Sequence, residues 1–143
     1  MADIWDIARY VESNPDDHEQ RWRLAKKLYT AWEYRLALEH LQILKNEGPN
    51  RINILRYLGA TYYRLGRYEE AVRELETAIE GWPEEIGLYE QLARVLEIAG
   101  DHQKAAAMWD KALALDPHHP MAGHAAARLR SSQPDTGKKK TIP

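Results

Sequence analysis

The chain contains no cysteine and no phenylalanine. The first absence excludes disulfides and thiolate metal sites. The second leaves all aromatic packing to five tryptophans and eight tyrosines, whose rings each carry a polar atom that needs a partner when buried. No apolar run is long enough to span a bilayer, and the opening MADIWDIARY holds Asp3 and Asp6 where a signal peptide needs an apolar core. Neither a signal peptide nor a membrane segment is therefore expected, and the cytoplasm is the expected compartment. Also missing are His-Glu-x-x-His, a glycine-rich phosphate loop and a Gly-x-Ser-x-Gly elbow, so no enzymatic activity and no cofactor is read from the chain. A formal net charge of −2 supplies no global field for nucleic acid.

What is present is an ordinary globular balance, 44% hydrophobic and 29% charged over 143 residues, enough for one domain with a core. Charge is unevenly placed: eight glutamates against the single base Arg73 lie within residues 69–90, while Lys138, Lys139 and Lys140 crowd the tail. The strongest signal is a period. Pro15, Pro49, Pro83 and Pro117 recur at intervals of 34 residues, and Leu24, Leu58 and Leu92 keep the same spacing. So do the small residues Ala25, Gly59 and Ala93 and the alanines Ala37, Ala71 and Ala105. A repeat of that length is one helix-turn-helix unit. Small side chains at fixed places are what two helices need to approach within roughly 8–10 Å. Gly59, inside LRYLGATYY, costs about 1 kcal/mol relative to alanine, and close helix approach is the compensating reason.

The middle copy reads Leu55-x2-Leu58-Gly59-x2-Tyr62, then Ala71-x3-Leu75, Ala78 and Pro83. This resembles the tetratricopeptide repeat, Trp-x2-Leu-Gly-x2-Tyr, Ala-x3-Phe, Pro. The third copy, with Tyr89, Leu92, Ala93, Leu96, Ala105, Trp109, Ala112 and Pro117, matches almost as well. The first departs from the pattern at Arg21 and Leu44. The resemblance implies an all-α, right-handed α-α superhelix with repeats at about 18–51, 52–85 and 86–119. The spacing predicts eight helices, at roughly 3–14, 17–31, 34–47, 51–65, 68–81, 85–98, 102–115 and 119–131, within one domain at 1–131. The first resembles the second helix of an earlier, missing repeat, and its Ile4, Ile7, Ala8 and Val11 stripe would cover the end of the stack. The last, with Ala122, Ala125, Ala126 and Leu129 on one face, is expected to be a solvating cap. Gly66 and Gly100 suit left-handed caps. Trp32 holds the equivalent place in the first copy, so that turn is expected to be made differently. The basic tail at 132–143 is expected to be disordered.

In this family, the second, fifth, ninth, twelfth and often thirteenth residues of each unit's first helix face a concave groove. Carried onto this chain, the resemblance places Trp22, Lys26 and Tyr29 there from the first copy, and Asn53, Arg56, Tyr63 and Arg64 from the second. The third contributes Glu90, Arg94 and Glu97, and the last helix adds Arg128. Cations outnumber acids in that row, which favours an acidic or carboxylate-bearing peptide. Trp22, Tyr29 and Tyr63 divide between ligand contact and partial packing, whereas Tyr62, Tyr89 and Trp109 are expected in the core. Trp5 and Trp32 fit neither pattern. At the positions of the family's chaperone-tail clamp stand Trp22, Lys26, Tyr57, Gly87 and Gln91, so that clamp is absent. Asp116, His118, His119 and His124 have the residue types of a metal site, but Asp-Pro-His-His-Pro reads as a repeat-boundary turn facing water, and no metal is expected. The chain is therefore expected to be a non-enzymatic protein-interaction module that binds a partner's peptide segment in the groove. The alternatives are a self-associating scaffold and a secretion-type chaperone with three repeats. An RNA-binding repeat ranks below them, because glutamates dilute the basic positions, and no membrane or nucleic-acid partner is expected.

Overall fold

The computed structural model describes residues 3–132. Among them every regular element is a helix: α1 Ile4–Ser13, α2 His18–Thr30, α3 Tyr34–Glu47, α4 Arg51–Arg64, α5 Tyr68–Gly81, α6 Ile86–Ile98, α7 His102–Leu115 and α8 Ala122–Ser131. Seven begin and end within two residues of the positions expected from the period. The tail expectation lies outside the described residues. The helices group into two compact units, one through Pro83 and one from Glu84. In the first, α2 pairs with α3 and α4 with α5, while α1 packs on α2 and α3 on α4. In the second, α6 pairs with α7, which also carries α8.

The period is recorded in burial. Leu24, Leu58, Ala25, Ala93, Ala37, Ala71 and Ala105 are all fully buried, and Leu92 nearly so. Each fully buried leucine contributes on the order of 1.5–3 kcal/mol. The close contact expected at Gly59 is present: a Cβ there would lie 2.8 Å from Leu75 Cγ and 2.9 Å from its Cδ2. Leu75 is itself fully buried, so it has no room to retreat. Glycine is thus required at α4's contact with α5, whereas Ala25 and Ala93 suffice in the other copies.

Arg21 takes the place of the family's tryptophan and is only 6% exposed. The core accepts it because the guanidinium is spread over two acceptors: Nη1 lies 2.9 Å from His40 Nδ1, and Nη2 donates to the Pro15 carbonyl at 3.1 Å. Burial, and then the charge of Arg21, push the His40 pKa below its ordinary value, against the weaker pull of Glu39 and Glu12.

The turn after α2 corrects an expectation. It is made the same way as its counterparts, because Trp32 adopts φ 65° where Gly66 and Gly100 have 74° and 91°. The hydrogen bonds repeat as well. Glu33 N donates to Leu28 O at 2.9 Å, Arg67 N to Tyr62 O at 2.8 Å and Asp101 N to Leu96 O at 2.9 Å. Backbone geometry is imposed by the helix pair on either side, and the tryptophan bears the left-handed strain. Its side chain is 79% exposed and recovers little by packing. The start of α8 is the second correction: it begins at Ala122 rather than 119, since Pro120 biases His119 away from helical geometry.

Three outcomes are expected. Gly59→Leu should destabilise by about 2 kcal/mol or more, with overpacking outweighing the gain in helix propensity. In denaturant titrations, Gly59→Ala should cost less in a Leu75→Ala background than in the wild-type chain. At the strained turn, Trp32→Gly should be more stable than Trp32→Ala by about 1 kcal/mol, since only glycine relieves the left-handed conformation. For His40, the folded state holds fewer protons than the unfolded chain, so stability is fullest above about pH 6.5. It declines as pH falls through that value toward the lowered folded pKa. His40→Gln keeps an acceptor for Arg21 and should flatten this part of the melting-temperature profile.

Candidate interaction surface

In the first unit, four aromatic side chains from α2, α3 and α4 lie edge to face in a continuous series. Trp22 and Tyr57 have ring centroids 5.0 Å apart, Tyr57 and Tyr29 5.5 Å, and Tyr29 and Tyr34 5.3 Å. Such pairs contribute roughly 0.5–1.5 kcal/mol each beyond area burial. The rings of Trp22, Tyr29, Tyr34 and Tyr57 are half-buried, so each packs on a neighbour and keeps another part in solvent. Trp22 and Tyr29 are therefore both partly packed and partly accessible. Tyr63 is likewise half-buried, with its ring 5.8 Å from Tyr68.

Cations edge this wall. Lys26 Nζ stands 5.0 Å from the Trp22 ring, an arrangement favoured by the ring's negative face. The exposed Arg64 donates from Nε to the Tyr29 hydroxyl at 3.4 Å and lies 5.9 Å from the Tyr63 ring. Among the described residues neither cation is in an ion pair, whereas Arg67 pairs with Glu70 and Lys45 with Glu74. Asn53 is exposed and Arg56 half-buried on the same helix. Tyr57, which links Trp22 to Tyr29, was read only as a clamp position without the clamp residue and not among the assigned groove residues. Its signal was available in the alignment of the copies, since a tyrosine there replaces Arg23 and Gln91.

The second unit treats its assigned residues differently. Arg128 Nη1 donates to Glu97 Oε1 at 2.7 Å, and that hydrogen bond holds the Glu97 carboxyl below its usual range. Glu90 Oε1 is 2.5 Å from His119 Nε2. Arg94 stays exposed, its guanidinium 6.0 Å from the Trp109 ring. Two of the four residues assigned here thus neutralise each other, and among the four only Arg94 remains an exposed cation outside an ion pair.

His119 does not face water as its turn suggested; its side chain is 9% exposed. Nδ1 accepts from the backbone N–H of Met121 at 3.1 Å and of Ala122 at 3.0 Å, satisfying donors that the start of α8 would leave orphaned. With Nε2 on Glu90, both ring nitrogens are occupied, and the ring rests 6.0 Å from Trp109. His118 and His124 are exposed. Among the described residues no group of three or more acidic or imidazole side chains is placed to hold a metal, and no helix is long and apolar enough to cross a membrane.

The chain matches the tetratricopeptide repeat family over residues 23–86 and 57–120 and belongs to it. Its fold is therefore of the all-α, α-α superhelix class, and its repeats are protein-interaction modules. Over 99 residues it is 27% identical to a probable UDP-N-acetylglucosamine–peptide N-acetylglucosaminyltransferase, SEC, of Arabidopsis thaliana. The match covers 69% of this chain but 10% of that protein, so the transferase activity is a property of a much longer protein. Among solved structures it is similar to MamA, with a TM-score of 0.80 at 19% identity, over 90% of this chain and 70% of that one. A second MamA structure, MSR-1 in form C2, aligns at 25% identity with a TM-score of 0.74, over 80% of this chain and 66% of that one.

Removing the imidazole in His119→Ala should lower stability by about 1 kcal/mol or more, from a lost helix cap and a stranded Glu90. His119→Asn, which keeps a cap acceptor, should lose less in the same urea titration.

Proposed function

We propose that the α2/α4 face of the first unit binds an acidic segment of a partner protein, with the aromatic series as anchor and Lys26 and Arg64 setting its orientation. The observation that supports this reading is the half-buried row Trp22, Tyr57, Tyr29 and Tyr34, bordered by two cations that have no ion-pair partner among the described residues. Rings already fixed by their neighbours lose little freedom when a ligand covers them, and aromatic and arginine side chains carry much of the energy in such contacts. Acidic side chains on the segment would meet Lys26 and Arg64, and Arg94 offers a comparable exposed cation in the second unit.

An array of immobilised acidic peptides with spaced aromatic or aliphatic residues tests this, using basic peptides of matched length for comparison. Lys26→Glu with Arg64→Glu should weaken capture of the selected peptides by at least about tenfold, roughly 1.4 kcal/mol, while leaving the circular-dichroism spectrum unchanged. Trp22→Ala should weaken it too, and added salt should reduce the charged part. Selection of basic peptides, or equal capture by the double variant, would place binding elsewhere.

A further inference from the structure

Beside the aromatic wall, α2 carries Arg23, Lys26, Lys27 and Thr30 at i, i+3, i+4 and i+7, the spacing of a single helix stripe. With Ile4 of α1 and Ala31 they line a hollow of about 530 Å³ in the first unit. The lining thus holds three cations and, among the described residues, no carboxylate. Asp6, which lines the adjoining hollow with Arg23, is already paired with Arg9. Glu19, one turn before Arg23, lies outside the lining. None of the three cations is in an ion pair among the described residues. Like charges one turn apart repel one another, so the grouping costs the helix rather than stabilising it. The end of α2 offsets little of this charge, since a C-terminal helix dipole is equivalent to about half a negative charge. Nor does the repeat require the stripe. At the same four places the middle repeat has Tyr57, Ala60, Thr61 and Arg64, and the third has Gln91, Arg94, Val95 and Ile98, one cation in each. The place of Lys27 is buried in both, at Thr61 and Val95. Only the first repeat puts a half-buried charge there.

We propose that this hollow receives a phosphoryl group carried by the acidic segment that crosses the aromatic wall. The inference rests on the binding reading given above and adds the chemistry of one residue of the partner. Lys26 connects the two places, because it lines the hollow while its Nζ stands 5.0 Å from the Trp22 ring. A segment lying on Trp22 therefore passes the hollow. A carboxylate side chain would bring one negative charge, whereas a phosphate monoester brings about 1.5 to 2 at neutral pH, with three acceptor oxygens. Three cations exceed the first and suit the second. Arg23 supplies a planar fork for two oxygens, and the lysines act as point charges. The Thr30 hydroxyl is committed to the Lys26 carbonyl at 3.0 Å, so recognition falls to the cations. Ile4 and Ala31 offer the stem of the modified residue an apolar rest.

The test takes an acidic peptide captured by the wild-type chain and compares three forms of it, with serine, glutamate or phosphoserine at each position in turn, by fluorescence anisotropy. At one register phosphoserine should bind at least about tenfold more tightly than either serine or glutamate. Arg23→Gln with Lys27→Gln should remove that gain and leave the affinity for the serine form within about twofold, because neither residue belongs to the wall. Arg23→Gln alone, at an exposed site, should remove part of the gain and serves if the double variant does not fold. Equal affinity for the glutamate and phosphoserine forms at every register, or a gain that survives in a folded variant, overturns the inference while the binding of acidic segments stands. Failure of all three forms to bind overturns both. Inorganic phosphate at the peptide's concentration should leave the melting temperature unchanged, and a rise equal to that given by the phosphopeptide would assign the hollow to the free ion instead. Retention on phosphatidic acid vesicles, lost in the double variant and with no gain from phosphoserine, would assign it to a lipid surface and overturn the inference as well.

Discussion

The close approach of paired helices is the constraint on which the rest of this structure depends. Helix backbones meet only where one side chain is small enough, and at Gly59 the allowance is so tight that even a methyl group would overlap Leu75. Once that contact recurs every 34 residues, the leucines flanking it are buried, the intervening turns are forced into one geometry, and the remaining helix faces are left to solvent. Surface chemistry can then vary without disturbing the scaffold, and in this chain it varies sharply between the two units. One carries an aromatic wall with unneutralised cations, while the other has most of its charges paired internally.

The fold was legible in the sequence because periodic burial is a local property: small and branched residues at fixed spacing leave their imprint whatever the partner helix contributes. Contacts bridging distant positions were not legible. Arg21 looked like a defect in the first repeat until its reach to His40, nineteen residues away, gave it acceptors in the core. His119 looked like a solvated turn residue, yet its ring nitrogens cap one helix and meet a carboxylate on another. Of the assigned groove residues, Trp22, Lys26, Tyr29 and Arg64 do assemble on one wall, because helical register alone decides which way they point. Tyr57 was read only as a clamp position without the clamp residue, and its place between Trp22 and Tyr29 comes from packing that the sequence does not record. The mutual cancellation of Arg128 and Glu97 escaped for the same reason.

Trp32 carries a consequence of another kind. The one tryptophan codon differs from a glycine codon by a single base, so the residue that would relax this turn is one mutational step away. Its two sister turns already hold that residue. A protein that presents a bare indole on a strained loop, with relief so near at hand, has spent fold stability to display an aromatic side chain to solvent. The turn is thus a place where the history of the chain can be read as a preference for contact over rigidity.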